Sequence, residues 1–309
     1  MYKGDSEFSK SNINQNGSIR KIKFKENSNI FRCPICEAKM NIYDFKDITC
    51  ANGHCFNIAR KGYINFLLKP GKKEYDIEMF HSRNRICASG FFDPVLEYIR
   101  DLIVGEIEKW DLENMKILDA GCGEGSHLGQ IINSMRSKKI NDLQGIGIDI
   151  SKEGILIASK GYFDIVWCVA DLANLPFMSK QFDVILNILS PANYGEFART
   201  LKDDGILIKV VPGSNYLKEL REAFYEGMDK QTYSNDKVIE LYSKNFRILD
   251  IQEITYSRMI DKENLMHLIK MTPLSWTATD KRIKQAFNME MKNITVDLTI
   301  IVGKKTNKP

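Results

Sequence analysis

The chain has 309 residues, of which 43% are apolar and 27% charged, with a formal net charge of +4. That length accommodates one α/β catalytic domain and a smaller module, and the balance is globular rather than disordered or fibrous. No apolar run approaches the ~20 residues needed to cross a bilayer, which excludes a helical membrane span and predicts no membrane partner.

Charge is spread unevenly. Residues 1–74 carry 14 Lys and Arg against 7 Asp and Glu, so the remainder is close to neutral. This is the distribution of a polyanion-binding front module on a near-neutral catalytic domain, with a solvated Lys-rich surface as the plain alternative. Residues 1–29 are rich in Asn, Ser and Lys and lack the apolar core of a secretory signal. They predict a flexible tail on a cytoplasmic protein. The cysteines number seven, and three of them cluster with a histidine, which argues for a metal in a reducing compartment rather than for disulfides.

Cys33, Cys36, Cys50 and His54 follow the pattern C-x2-C-x13-C-x3-H. Two residues between the first cysteines let both thiolates face one ion, and Asn52-Gly53 supplies a second tight turn opposite. Four such ligands close a tetrahedron around Zn2+ and leave no open position, so the ion is expected to be structural. A thioredoxin-like redox pair at Cys33 and Cys36 is disfavoured, because no βαβ context surrounds it. Cys55 is expected to point away from the ion as a core residue.

The segment 30–70 is expected to be a zinc-binding, RNA-recognition module. In its run from Phe56 to Pro70, Arg60, Lys61 and Tyr63 are candidates for phosphate and base contact. Ile64, Phe66 and Leu67 are expected to pack. Residues 71–115 predict a helical linker, with Pro94 near a helix start. A catalytic domain is expected over 116–309.

From Met115 the sequence MKILDAGCGEGS reads as a short apolar strand ending in Asp119, then Gly121, Gly123, Glu124, Gly125 and Ser126 opening a helix. Glycines there permit positive φ and close approach of a ligand to the backbone. Asp119 would repel a pyrophosphate but suits the ammonium of a methionine moiety, which favours S-adenosylmethionine over NAD. The next strand ends at Asp149-Ile150, 26 residues after Gly123, where a carboxylate can accept both ribose hydroxyl protons. A third strand ends at Asp171-Leu172, placed to receive an adenine amino group and contact the ring. Strands follow at FDVILNILSP and DDGILIKVVPG, with a helix at 194–200 between them. A strand at 251–257, helices at 261–270 and 280–289, and an antiparallel last strand at 294–302 complete the pattern.

These features resemble the class I methyltransferase family, a Rossmann-like α/β fold with a seven-stranded, mostly parallel sheet. The zinc pattern, the run GHCFNIARKGYINFLL, ICASGFFDPV, DAGCGEG and MTPLSW are together similar to the bacterial 23S rRNA guanine-N1 methyltransferases of the RlmA type, from residue 31 to about 303. The resemblance implies methylation of N1 of a guanosine in a 23S rRNA hairpin loop of domain II, flanked by zinc module and catalytic domain. It implies cofactor contacts at Phe92, Gly125, Ser126 and Tyr216. This sequence departs at two of these places, since the family often has Tyr at 92 and His at 216. A homodimer paired across the zinc modules is left open.

Guanine N1 carries a proton and is a weak nucleophile until that proton leaves. Asn187, Ser190 and Asn193 follow the fourth strand at the carboxyl end of the sheet, and are expected to orient the base edge; Asn187 also counts among the candidate cofactor contacts. His267, on NLMHLIKM, is an alternative base but reads more naturally as a packed helix residue. Met271 and Trp276 are expected to wall the acceptor pocket or to fill the core. Two readings stay open beside this one: a small-molecule or protein methyltransferase with a structural zinc module, and a non-catalytic RNA-binding protein.

Overall fold

The computed structural model describes residues 22–43, 45–69, 76–110, 114–225, 234–289 and 291–306. Residues 1–21 of the expected tail lie outside them. Residues 22–29 of that tail are built into the structure: residues 22–26 form a short helix, α1, and Phe24 and Asn27 are buried, as is Ile30, the first residue of the following segment. Phe24 and Ile30 are apolar side chains that the sheet covers, which composition alone did not reveal.

A three-stranded antiparallel sheet follows, with β1 (Met40–Tyr43), β2 (Asp47–Cys50) and β3 (Cys55–Asn57) in that order. The next strand, β4 (Tyr63–Asn65), leaves this small sheet and pairs parallel with β7 of the large one. Two helices then cross to the catalytic half: α2 (Ile77–Ala88), capped by the Asp76 side chain, and α3 (Asp93–Trp110), with Pro94 in its first turn.

The large sheet is built from β5 (Met115–Ala120), β6 (Leu143–Asp149), β7 (Val166–Val169), β8 (Phe182–Ile188), β9 (Leu201–Pro212), β10 (Phe246–Met259) and β11 (Asn293–Lys305). Its order is β10-β11-β9-β8-β5-β6-β7-β4. All pairs from β4 to β9 are parallel, and β11 alone is inserted antiparallel between β9 and β10. The sheet therefore has eight strands rather than seven, because the zinc-bearing segment contributes β4 to its edge. Helices α4 (Ser126–Ser137), α5 (Lys152–Gly161), α6 (Tyr194–Thr200), α7 (Lys218–Tyr225), α8 (Asp236–Asn245), α9 (Lys262–Met271) and α10 (Asp280–Asn288) complete the fold.

β5 and β8 are buried along nearly their whole length, as strands covered on both faces must be. From β5 the chain winds outward through β6 and β7, then returns to lay β8 on the other side of β5. That reversal opens a crevice at the carboxyl ends of β5 and β8, where doubly wound sheets bind ligands. One face of the sheet shares its core with the zinc segment: Phe31, Met40, Ile48 and Phe66 pack with Ile146, Ile148, Val166 and Phe177.

Candidate active site and zinc centre

The four expected zinc ligands converge. Their ligating atoms all lie within 4.8 Å of one another. Nδ1 of His54 is 3.5 Å from Cys33 Sγ, 3.3 Å from Cys36 Sγ and 3.5 Å from Cys50 Sγ, and Cys36 Sγ is 3.6 Å from Cys50 Sγ. A zinc tetrahedron with three sulfurs and one nitrogen has edges of about 3.5–3.8 Å, so the donor set fits that ion.

Local turns create this geometry. The Glu37 N–H donates to Cys33 O at 2.9 Å, with Glu37 at φ 64, and the Gly53 N–H donates to Cys50 O at 3.0 Å, with Gly53 at φ 80. The Cys36 thiol is pulled down to about 6, first by the Ala38 backbone N–H and then by Asn52, whereas burial raises Cys33. Cys55, expected in the core, is exposed. It sits opposite Thr49 on β3, and in a three-residue strand the pleat turns it to the open face.

The crevice is lined by the glycine turn. Gly121, Gly123 and Gly125 have φ of 85, 59 and 80, and Gly125 caps α4 in the left-handed region. Gly121 is also sterically required: a Cβ there would lie 1.8 Å from Ser190 Oγ. Asp119 is 1% exposed, and its Oδ1 has no hydrogen-bond partner among the described residues. Burial pushes this carboxyl up to about 7. An orphaned buried acid beside a glycine turn fits the ammonium of a methionine moiety, which would satisfy it.

Asp149 Oδ2 accepts from the Gly123 N–H and Oδ1 from the Ser151 N–H, each at 2.8 Å. Those bonds hold the carboxylate with lone pairs left for a ribose. Ile150 next to it is 45% exposed, Leu172 is half-buried, and Asp171 is exposed with Oδ1 accepting from Ala173 N–H. An exposed apolar residue, a leucine and a free carboxylate oxygen are the elements that suit an adenine ring. Ser126 is buried and its Oγ accepts from Asn84 Nδ2 at 3.0 Å. Phe92 packs edge-on to His127, and Tyr216 is buried, with its hydroxyl pushed upward by burial.

The acceptor candidates are brought to this crevice by the end of β8, but not with the freedom expected. Asn187 is fully buried; its amide donates to Ala120 O at 2.7 Å and Pro191 O at 2.9 Å. Both its N–H groups are committed, so it holds the loop rather than reading a base. Asn193 caps α6, with Oδ1 accepting from the Glu196 N–H at 3.1 Å. Ser190 stands against Gly121.

Of the residues beyond the crevice, His267 on α9 meets α2, with Nδ1 3.1 Å from Ser82 Oγ, in keeping with a packed helix residue. Met271 packs against the core and Trp276 is exposed. Tyr63, a candidate base contact, is buried in the core, because β4 joins the large sheet. Arg60 and Lys61 are exposed but precede β4, at the amino-terminal edge of the parallel strands.

Two charged residues at the site were missed. Arg83 of α2 pairs with Glu124 at 3.0 Å and donates to His127 Nδ1 at 3.3 Å. Burial opposes its charge, but Glu124, Cys87, Asp119 and Asp149 hold the guanidinium above its ordinary range. The same burial drives His127 well below its usual value and keeps it neutral. Lys209 of β9 is 5% exposed, with Nζ 2.6 Å from Asn187 Oδ1 and 3.1 Å from Ser190 O. Burial pulls it down to about 8. A lysine inside the apolar run ILIKVV was a legible signal, since lysine is almost never fully buried without a reason.

The doubly wound sheet, the glycine turn with its acidic strand ends and the Cys3His cluster define a class I S-adenosylmethionine-dependent methyltransferase with a structural zinc ribbon. Residues 111–272 match the family described as a methyltransferase domain, and residues 31–73 match the zinc ribbon described as RlmA, N-terminal. YxjB of Bacillus subtilis, whose name assigns it 23S rRNA (guanine-N1) methylation, is 44% identical over 278 residues, covering 89% of this chain and 97% of its own. The 23S rRNA (guanine(748)-N1)-methyltransferase of Streptomyces fradiae is 27% identical over 250 residues, covering 79% of this chain and 85% of its own. The chain belongs to the RlmA-type 23S rRNA (guanine-N1)-methyltransferase family.

Proposed function

We propose that this enzyme methylates N1 of a guanosine in a hairpin loop of domain II of 23S rRNA. The observation that carries the reading is the pairing of β4 with β7, which builds a zinc ribbon of the RlmA kind into the same sheet as the cofactor crevice. Because β4 runs parallel to its neighbour, Leu68 and Lys69 emerge on the carboxyl edge, where the crevice opens, and both are exposed. An RNA loop resting on that edge touches ribbon and crevice together.

In this reading the segments 30–70 and 116–309 are the recognition and catalytic parts, joined by 71–115. S-adenosylmethionine supplies an electrophilic methyl group. Asp119 holds the methionine ammonium, Asp149 the ribose, and Asp171, Leu172 and Ile150 the adenine. Gly121, Gly123 and Gly125 let the backbone approach, with Glu124 and Ser126 fixing the turn, and Phe92 and Tyr216 wall the methionine end. Ser190 and Asn193 face the base edge from the loop after β8. Approach and orientation carry most of the acceleration, since the acceptor nitrogen needs alignment and loss of one proton rather than a covalent intermediate.

The enzyme works in the reducing cytoplasm, where the thiols stay available to zinc. Ile35 and Tyr43, exposed on the ribbon, support pairing of two chains there, which sedimentation of the full chain reads directly. The decisive experiment transfers labelled methyl from S-adenosylmethionine to 23S rRNA lacking base modifications and analyses the nucleosides. Label in 1-methylguanosine is expected. Label in another nucleoside, or none on RNA, overturns the acceptor assignment.

A further inference from the structure

Lys209 is out of place by composition. Its neighbours Leu207, Ile208, Val210 and Val211 are buried apolar residues of a central strand, and it is as buried as they are. Its hydrogen-bond partners among the described residues are an amide oxygen and a backbone carbonyl rather than a carboxylate. An ammonium held this way forgoes water without gaining a countercharge, so it weakens the fold relative to an apolar side chain of the same length.

What it holds is specific. Nζ donates to Asn187 Oδ1 and to Ser190 O, fixing the amide so that its two N–H groups reach Ala120 O and Pro191 O. Ala120 closes β5 just before Gly121, and Pro191 lies in the loop after β8. One lysine and one asparagine thus tie the glycine turn, the end of β8 and the loop 189–193 together. The loop needs the tie, because Leu189 is held at φ 51, a left-handed conformation that a branched side chain adopts only under constraint. Ser190, at the far end of the network, packs against Gly121.

We propose that Lys209 is a positioning residue for methyl transfer: through Asn187 it fixes the loop 189–193 against the glycine turn and so sets where the acceptor atom meets the methyl group. The inference rests on the reading that this loop faces the acceptor. A buried cation that opposes stability is retained because it enforces one arrangement of a strained loop at the carboxyl end of the sheet. Its effect belongs to orientation and not to cofactor affinity, since none of its bonds touches Asp119, Asp149 or Asp171.

The test uses the full-length zinc-loaded enzyme with Lys209→Met, which keeps the length and removes the charge, and with Lys209→Gln, which keeps an uncharged N–H donor group. Four quantities are read: kcat on unmodified 23S rRNA, dissociation constants for S-adenosylmethionine and for the RNA, and Tm. Lys209→Met is expected to lower kcat about 100-fold, the size of a misplacement of about 1 Å, while both dissociation constants stay within about threefold and Tm does not fall. Lys209→Gln is expected to recover part of that kcat. The effect of Lys209→Met is expected to be lost in an Asn187→Ala background, because the two residues act as one unit.

A kcat within about threefold of the wild type for Lys209→Met overturns the proposal, as does a loss of kcat matched by loss of cofactor affinity. Should Lys209→Met fold poorly, Lys209→Gln decides by the same criterion. Failure of the acceptor reading is seen separately, in the wild-type enzyme, as label at a nucleoside other than 1-methylguanosine.

Discussion

The guanidinium of Arg32, the residue before the first zinc ligand, donates to Asn174 Oδ1 at 3.0 Å, and Asn174 Nδ2 donates back to Pro34 O at 2.9 Å. Asn174 lies in the loop that follows Asp171 and Leu172, the residues assigned to the adenine. The zinc knuckle and the loop after Leu172 are therefore one hydrogen-bonded unit. Asn174→Ala is expected to weaken S-adenosylmethionine about tenfold, the worth of a lost pair of partly buried hydrogen bonds, and calorimetric titration reads it. Unchanged affinity would separate the ribbon from the cofactor site.

Removing zinc acts on the same unit from the other side. Without the ion the ribbon loses the bond that closes it, and Phe31, Phe66 and Met40 lose their cover over the sheet. Chelation, or Cys36→Ser, is expected to lower Tm by roughly 10 °C and to release one zinc per chain, followed by calorimetry and metal analysis. Cys55→Ser is expected to change neither, since the Cys55 thiol is exposed and outside the ligand set.

Cofactor affinity should depend on pH through Asp119. Burial raises its carboxyl from 3.8 to about 7, so without ligand the neutral acid is favoured below about pH 7, and the stability it contributes is lost as pH rises from about 4 to its folded value of about 7. An ammonium partner reverses that preference and selects the carboxylate. Affinity for S-adenosylmethionine is thus expected to fall as pH drops below about 7, by up to about tenfold per unit. Asp119→Asn is expected to bind more weakly with a flat profile, and a wild-type profile equally flat would remove Asp119 from the ammonium site.

Gly121→Ala tests the contact between the two loops of the crevice. The new Cβ meets Ser190 Oγ at 1.8 Å and Ser190 Cβ at 2.7 Å, at a φ of 85 that a side chain resists. Methyl transfer is expected to fall about 100-fold and Tm by roughly 5 °C. Ser190→Ala added to it is expected to restore only part of the loss, because the Cβ clash remains.

Asn193 has a structural duty that a simple deletion would confuse with a catalytic one. Asn193→Ala removes the cap of α6 and is expected to cost about 1 kcal/mol in denaturation, whereas Asn193→Ser keeps a capping oxygen. If the amide reads the base edge, both variants lose turnover while only the first loses stability. Full turnover in the serine variant would confine Asn193 to the cap.

Much of the site was legible because its signals are local in the chain. The spacing of Cys33, Cys36, Cys50 and His54 brings the ligands together through two short turns, each closed by a backbone hydrogen bond within five residues. Asp119, Gly121, Gly123 and Gly125 belong to one strand-turn-helix unit, whose geometry is dictated by glycine's access to positive φ. Asp149 at the end of β6 and Asp171 just past β7 follow from the same βα repeat.

What the sequence by itself determined, then, was the donor set for zinc, the glycine turn and the succession of strands with Asp119, Asp149 and Asp171 at or just past their carboxyl ends. Only the tertiary structure decided that β4 leaves the ribbon for the large sheet, burying Tyr63 and drawing Phe24 and Ile30 into the core. It also decided that Arg83 reaches the glycine turn from α2, and that Asn187 and Lys209 bond to each other across neighbouring strands. The physical reason is range: turn geometry and ligand spacing are set by neighbours along the chain, whereas burial and the partner of a charge are set by segments that meet only when the sheet is assembled.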